Sequence, residues 1–281
     1  MRIIALVENE AKGDLKARHG LSLYIETVKH KLLFDLGPDN TLFENARAKG
    51  VDLTQVDTVI ISHGHDDHGG ALGRFLQINT SAKVYVQRKA FQPHYSKLLF
   101  LKVNIGIDAK LENHPQVVLV EGDYSIDDEL GLFTVSTRDK CYSDANDALY
   151  MKGGKDDFSH EQSLIIREKQ TAVISGCGHT GIVNIMEKAI SYQPQLCIGG
   201  YHLFNPMNKK SAPDTLLDDI IKELNKYPEV SFYTCHCTGL PAYQYLSQRM
   251  EHMSYLACGE EIEVSDKETV TDNLVYDRRF P

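Results

Sequence analysis

The residues with the clearest capacity for chemistry stand in one short run, His63-Gly64-His65-Asp66-Asp67-His68. Imidazole nitrogens and carboxylate oxygens are good ligands for zinc, iron or manganese. His63 and His65 are two apart, so in an extended chain both side chains leave on the same side. Asp67 and His68 follow at the start of the next element and can turn back toward the same place. Four ligands at this spacing can serve two adjacent cations, two each. The run Asp57-Thr58-Val59-Ile60-Ile61-Ser62 feeds directly into it and reads as a buried strand.

Further candidates stand where strands begin or end. Asp35 follows Leu32-Leu33-Phe34. His160 precedes Ser163-Leu164-Ile165-Ile166, and Cys177 and His179 follow Val173-Ile174-Ser175. His202 follows Ile198-Gly199-Gly200, and His236 follows Phe232-Tyr233-Thr234. In a hairpin the start of one strand and the end of the next share an edge, so His160 and Cys177 are expected to be neighbours. Ligand sites in α/β proteins commonly form at such edges.

The elements that must hold these side chains alternate between strand and helix. Residues 21–27 and 31–35 read as a hairpin turning at 28–30, with Leu21, Leu23 and Ile25 on one face. Residues 40–49 read as a helix and 83–86 as a strand. A second hairpin is expected over 163–166 and 172–175, followed by a helix over 181–192 with Thr180 as its N-cap. Residues 196–200 and 230–233 read as strands and 241–250 as a helix. Leu216, Leu217, Ile220, Ile221 and Leu224 give residues 213–226 a helical apolar face. Residues 88–157 are less regular, rich in aromatic and charged residues, as an insertion or lid over a site would be. The expectation is a single mixed α/β domain over 1–281.

Composition narrows the partners. Of 281 residues, 42% are hydrophobic and 25% charged, as in a soluble globular protein. A formal net charge of −9 repels a polyanionic backbone, so no nucleic-acid partner is expected. A small anionic substrate could still be met by local basic groups. The apolar run at the start is too short for a signal peptide, and no stretch reaches the length of a membrane span. The expected compartment is the cytoplasm, with no membrane partner and six reduced cysteines. Cys235 and Cys237 form C-x-C rather than C-x-x-C, which indicates neither a paired-cysteine zinc site nor a thioredoxin motif.

Taken together, Phe34-Asp35-Leu36-Gly37, Ser62-His63-Gly64-His65-Asp66-Asp67-His68-Gly69-Gly70 and the later histidines resemble the metallo-β-lactamase superfamily over nearly the whole chain. The resemblance implies a four-layer αββα sandwich with two divalent metal ions at one edge of its sheets, zinc foremost and iron or manganese as alternatives. By position it implies His63 and His65 on the first metal and Asp67 and His68 on the second. His160 matches the next ligand and His236 the last, on the second metal. Asp35 would orient a ligand histidine rather than touch metal. Where many members carry an aspartate bridging the metals, this chain has Cys177, which leaves it as a ligand, a supporting group or an inert residue. His179, between flexible glycines, is the rival to His160, and His160 is preferred for its place before a strand. Asp67, or Asp66 beside it, is the candidate proton acceptor. His202 is the candidate to contact substrate or to donate a hydrogen bond.

Gly176-Cys177-Gly178-His179-Thr180-Gly181-Ile182-Val183-Asn184, Gly199-Gly200-Tyr201-His202-Leu203 and His236-Cys237-Thr238-Gly239 are similar to a narrower branch. It includes an archaeal dihydropterin-methyl aminobenzene ribofuranosyl phosphate synthase. That similarity implies a transferase joining a pterin-methyl diphosphate to an arylamine. A metal-dependent hydrolase of a phosphoester or cyclic ester is the alternative, and a non-enzymatic metal-binding protein the third reading. Arg88, Lys89, Arg138 and Lys140 can bind a phosphate, and Phe91, Tyr95, Phe100, Tyr142 and Tyr150 can stack on a flat ring. For each of these, ordinary surface charge or core packing is the commoner use.

Overall fold

The register of the antiparallel pair Ser22–Glu26 and Lys31–Phe34 sets Leu23 against Phe34 and Ile25 against Leu32. All four side chains enter one core, as alternation along a half-buried strand requires. This is the hairpin expected from the sequence, and it sits inside a seven-stranded sheet. Arg2–Val7 and then Glu261–Glu263 extend it antiparallel on one side. Thr58–Ile61, Lys83–Gln87 and Val117–Val120 extend it parallel on the other. The computed structural model describes residues 1–98, 101–205 and 209–264.

A second seven-stranded sheet repeats the plan. Met253–Tyr255, Ser231–Thr234, Leu196–Gly199 and Thr171–Ile174 are parallel neighbours. Ser163–Arg167, Leu130–Phe133 and Tyr124–Ser125 continue it antiparallel. The two sheets meet through Ile3, Leu23, Phe34 and Ile60 from the first and Leu132, Leu164, Ile174 and Ile198 from the second. Parallel neighbours need crossover connections, and the crossovers put helices on the outer faces. Thr41–Ala48 and Leu72–Ile78 cover the first sheet with Leu42, Leu72 and Phe75. Ile182–Ala189, Asp214–Leu224 and Leu240–Ser247 cover the second with Ile185, Ile220 and Leu246. The expected αββα sandwich is the fold.

Two local expectations are corrected. Thr180 does not cap the helix Ile182–Ala189. Gly181 stands at the cap with φ 90°, and the Thr180 amide and hydroxyl both donate to the buried Glu161 carboxylate, each at 2.8 Å. Residues 88–157 are also more regular than they read. Val117–Val120 and Leu130–Phe133 belong to the main sheets. His94–Leu98, Leu101–Asn104, Leu149–Met151 and Gly154–Lys155 form a small antiparallel sheet of their own. Leu101–Asn104 does alternate apolar and polar residues, but over only four positions, and its Leu101 and Val103 stay exposed, so no buried face marks it as a strand.

Candidate metal centre

Because the central strands run parallel, their C-terminal ends gather at one edge of the sandwich, where loops are free to carry chemistry. Asp35 follows Lys31–Phe34, His63 follows Thr58–Ile61, and Cys177 follows Thr171–Ile174. His202 follows Leu196–Gly199, and His236 follows Ser231–Thr234. The loop after Thr58–Ile61 is packed closely: a Cβ on Gly64 would overlap the Ala90 carbonyl and the His94 ring. Gly20, at φ 143°, has the same role against the Asp67 carbonyl, to which the Leu21 amide also donates at 3.2 Å.

Asp67, His68, Cys177 and His236 bring one ligand atom each into a single cluster. His68 Nε2 lies 3.1 Å from Cys177 Sγ and 3.2 Å from His236 Nε2. Asp67 Oδ2 lies 3.2 Å from His236 Nε2 and 3.7 Å from His68 Nε2. Donors placed tetrahedrally at zinc bond lengths are about 3.3–3.5 Å apart, so this set fits one such ion. Behind it, Asp35 accepts from the Ser62 amide at 2.7 Å and from His68 Nδ1–H at 2.6 Å, which turns His68 Nε2 toward the cluster. Asp35 thus orients His68 from behind the cluster. Burial opposes charge on His68, yet Asp67 and Asp35 raise it to about 9. That pull on a positive charge is one a metal cation can answer. Burial pushes the Cys177 thiol well above its usual range, so it becomes a thiolate only beside a cation.

His63, His65 and His179 form a second set. His63 Nε2 and His65 Nδ1 are 3.0 Å apart. His179 Nε2 is buried with no hydrogen-bond partner. Burial first, and then the neighbouring imidazoles, keep His63 and His179 well below the ordinary histidine range, so both are neutral ligands in waiting. Ser62 Oγ–H donates to Asp35 at 2.7 Å and so accepts His63 Nδ1–H at 2.8 Å, which points the His63 lone pair inward from Nε2.

The structure places His160 and His179 differently: His179 joins His63 and His65, whereas His160 stands with His94 and Asp156 on the far side of His65. His160 Nδ1 accepts the Gly64 amide at 3.0 Å, so its proton must be on Nε2, which donates to Asp156 at 3.1 Å. Both ring nitrogens are thus engaged within the protein, unlike those of His179. His160 does cluster with His65, His94 and Asp156, and from there it fixes the backbone of the metal loop.

A cavity of about 280 Å³ opens over both sets. Asp67, Cys177, His179, His202 and His236 line it together with Ile105, Ala145, Ala148, Leu149 and Phe204. Its described lining contains neither lysine nor arginine. Asp66 reaches it, and so does His202, held at φ 49° with its ring 4.3 Å from His179. The basic candidates lie elsewhere. Arg88, Lys89 and Arg138 line a separate polar cavity, and Lys140 pairs with Glu187. Phe91 is in the core, Tyr95 and Tyr150 pair across the small sheet, and Tyr142 lies beside Arg138. Phe100 is outside the described residues.

Three residues of the site escaped the sequence reading. His19 Nε2 is 3.4 Å from Asp67 Oδ2, and its ring lies 4.8 Å from that of His236, tilted by 45°. Its only signal was a histidine and glycine ahead of a strand. Asn9 and Asn146 bear on His236 and His179 and carried no motif at all.

Fold and donor chemistry together define a metal-dependent enzyme class built on an αββα sandwich. The family model described as the metallo-beta-lactamase superfamily matches residues 15–158, about half the chain, and the chain belongs to that superfamily. A crystal structure of Tm1679, described as a metal-dependent hydrolase of the beta-lactamase superfamily, superposes with TM-score 0.79 at 28% identity, covering 95% of this chain and all of that one. An uncharacterized protein of Methanocaldococcus jannaschii is 29% identical over 86% of this chain and 93% of its own length. The 7,8-dihydropterin-6-methyl-4-(beta-D-ribofuranosyl)-aminobenzene-5'-phosphate synthase of the same organism is 26% identical over 86% of this chain and 89% of its own. Among the described residues, no helix is long and apolar enough to cross a membrane.

Proposed function

We propose that this protein is a dinuclear transferase that joins a pterin-methyl diphosphate to an arylamine. His63, His65 and His179 would hold one cation, and Asp67, His68, Cys177 and His236 the other. Zinc suits a set that mixes imidazole, carboxylate and thiolate. The carrying observation is the character of the cavity: metal donors at its floor, apolar Ile105, Leu149 and Phe204 in its lining, and no described lysine or arginine. A substrate with a flat ring and a charged end suits it, the ring against the apolar residues and the anionic end against the centre. Two bound divalent cations supply Lewis acidity toward phosphate oxygens. His202 and His19, on the cavity's lining, are placed to contact the substrate, while Asp67 serves as a ligand. The synthase relative supports this reading.

A hydrolase of a phosphoester or cyclic ester is the second reading, favoured by the likeness to Tm1679. The metal-loaded protein should be assayed with a pterin-methyl diphosphate plus an aminobenzene substrate, and separately with phosphodiesters and lactones. Coupled product with release of diphosphate is expected. Turnover of an ester, with no coupling, would replace the first reading by the second. Stoichiometric metal without turnover on any substrate would leave a metal-binding protein.

A further inference from the structure

Two asparagines hold two of the histidines in the same way. Asn146 Oδ1 lies 2.7 Å from His179 Nδ1, and its Nδ2 donates to the His179 carbonyl at 3.1 Å. Asn9 Oδ1 lies 2.9 Å from His236 Nδ1, and its Nδ2 donates to the His236 carbonyl at 3.2 Å. A carbonyl oxygen can only accept, so each amide nitrogen must face it. Each amide oxygen therefore faces Nδ1, which must carry the ring proton. The lone pair is left on Nε2, the atom turned toward the cluster in His236 and the buried, unpartnered atom in His179. Both contacts of each clasp reach the same residue, so ring rotation and tautomer are set together. Asn146 is buried on the short helical turn Asp144–Ala148, and Asn9 follows the strand Arg2–Val7.

We propose that Asn9 and Asn146 are positioning residues that set the affinity of the two metals separately, Asn146 for the His63–His65–His179 metal and Asn9 for the Asp67–His68–Cys177–His236 metal. This rests on the dinuclear reading above. Each asparagine spends its amide oxygen on the ring and its amide nitrogen on the carbonyl of one histidine, so each acts through that histidine. Losing a partner that orients a metal-bound histidine costs about 10–100-fold in metal affinity. The segment 88–157 is by this argument part of the metal centre and not only a cover over it, because Asn146 comes from it.

The test is a site-resolved titration of full-length protein stripped of metal. Cobalt(II) in the cysteine-containing site gives a thiolate charge-transfer band, which distinguishes it from the all-histidine site. Asn146→Ala is expected to weaken the band-silent metal about 10–100-fold while leaving the band's midpoint within a few-fold of wild type. Asn9→Ala is expected to do the reverse. Asn146→Asp, which still accepts the His179 ring proton, should bind the band-silent metal more tightly than Asn146→Ala. Circular-dichroism melts of the metal-free variants identify any general loss of fold, and in that case the comparison of Asn146→Asp with wild type decides. Unchanged midpoints, or equal weakening of both metals by each variant, overturn the clasps. Wild-type protein that binds no cobalt, or binds it without a thiolate band, overturns the dinuclear reading itself.

Discussion

A ring nitrogen binds a cation only if it has a lone pair to give, and that separates His160 from His179. His160 spends its lone pair on the Gly64 amide and its proton on Asp156, whereas His179 keeps a buried Nε2 free. Substituting His179 by Gln should therefore reduce a zinc-saturated protein from two metals to one and lower turnover by about 100-fold or more, since cation stabilisation supplies several kcal/mol. His160→Gln should retain both metals and lose about 1–3 kcal/mol of stability through the buried Gly64 amide left without its acceptor, since Asp156 keeps the Phe158 amide and His94. Elemental analysis of both variants checks this, and a one-metal His160→Gln beside a two-metal His179→Gln would reverse the assignment. The sequence could not separate the two because both stand beside the same hairpin. What distinguishes them is an Asp156 partner and a backbone amide, neither of which has a spacing rule. His63 to His68 were legible because all their chemistry lies within one loop. Cys177 was visible as a departure from pattern, but only the 3.1 Å approach to His68 gives it a place among the donors.

At the scale of elements, His30 in the turn of the first hairpin ties the two sheets at the edge. Its Nδ1 faces Asp57 at 2.9 Å and its Nε2 faces Asp127 at 2.7 Å. Partial burial opposes its charge, but the two carboxylates overcome it and raise its pKa above 6.5. A histidine with a raised folded-state value stabilises fully below 6.5 and loses that contribution as pH rises through the raised value. On the acid side, burial pushes Asp127 up, but the Leu130 and Glu129 amides and His30 outweigh it and hold it below its usual value, so its share is lost only as pH falls through that lowered pKa. The bridge is solvent-screened and worth about 0.2–1 kcal/mol. Chemical denaturation from pH 6 to 9 should show that loss in the wild type and not in His30→Gln, and parallel profiles would remove the bridge from the account. The hairpin carrying His30 was legible because Leu21, Leu23 and Ile25 alternate. The ion bridge was not, because Asp127 lies far along the chain. The small sheet of Leu101–Asn104 and its partners was hidden for a related reason: the strand's apolar alternation runs for only four residues and faces no core.

The whole molecule closes one edge of a strongly apolar sandwich with a cluster of buried polar groups. His63, His68, His160 and Asp35 are 0% exposed, so the cluster lies under the surface and its charges cannot be left to solvent. The donors come from loops of both sheets: His63, His65, Asp67 and His68 from the first, and Cys177, His179 and His236 from the second. A cation held by both groups therefore cross-links the sheets at that edge in the folded state and finds no comparable set in the unfolded chain. Free metal at a thousand times its dissociation constant adds about 4 kcal/mol to stability for each such site. For a chain of this size each kcal/mol moves the melting temperature by about 2–4 °C. Stripping metal with a chelator should lower the melting temperature by roughly 8–16 °C per site on that scale, and adding zinc back should restore it. Cys177→Ala combined with His236→Ala removes two donors of the second-sheet side and should shrink the chelator effect by about half, leaving the share of the all-histidine site. A chelator effect unchanged in that double variant would mean the stabilising ion sits elsewhere, whereas no effect in the wild type would mean the sandwich core alone carries the fold.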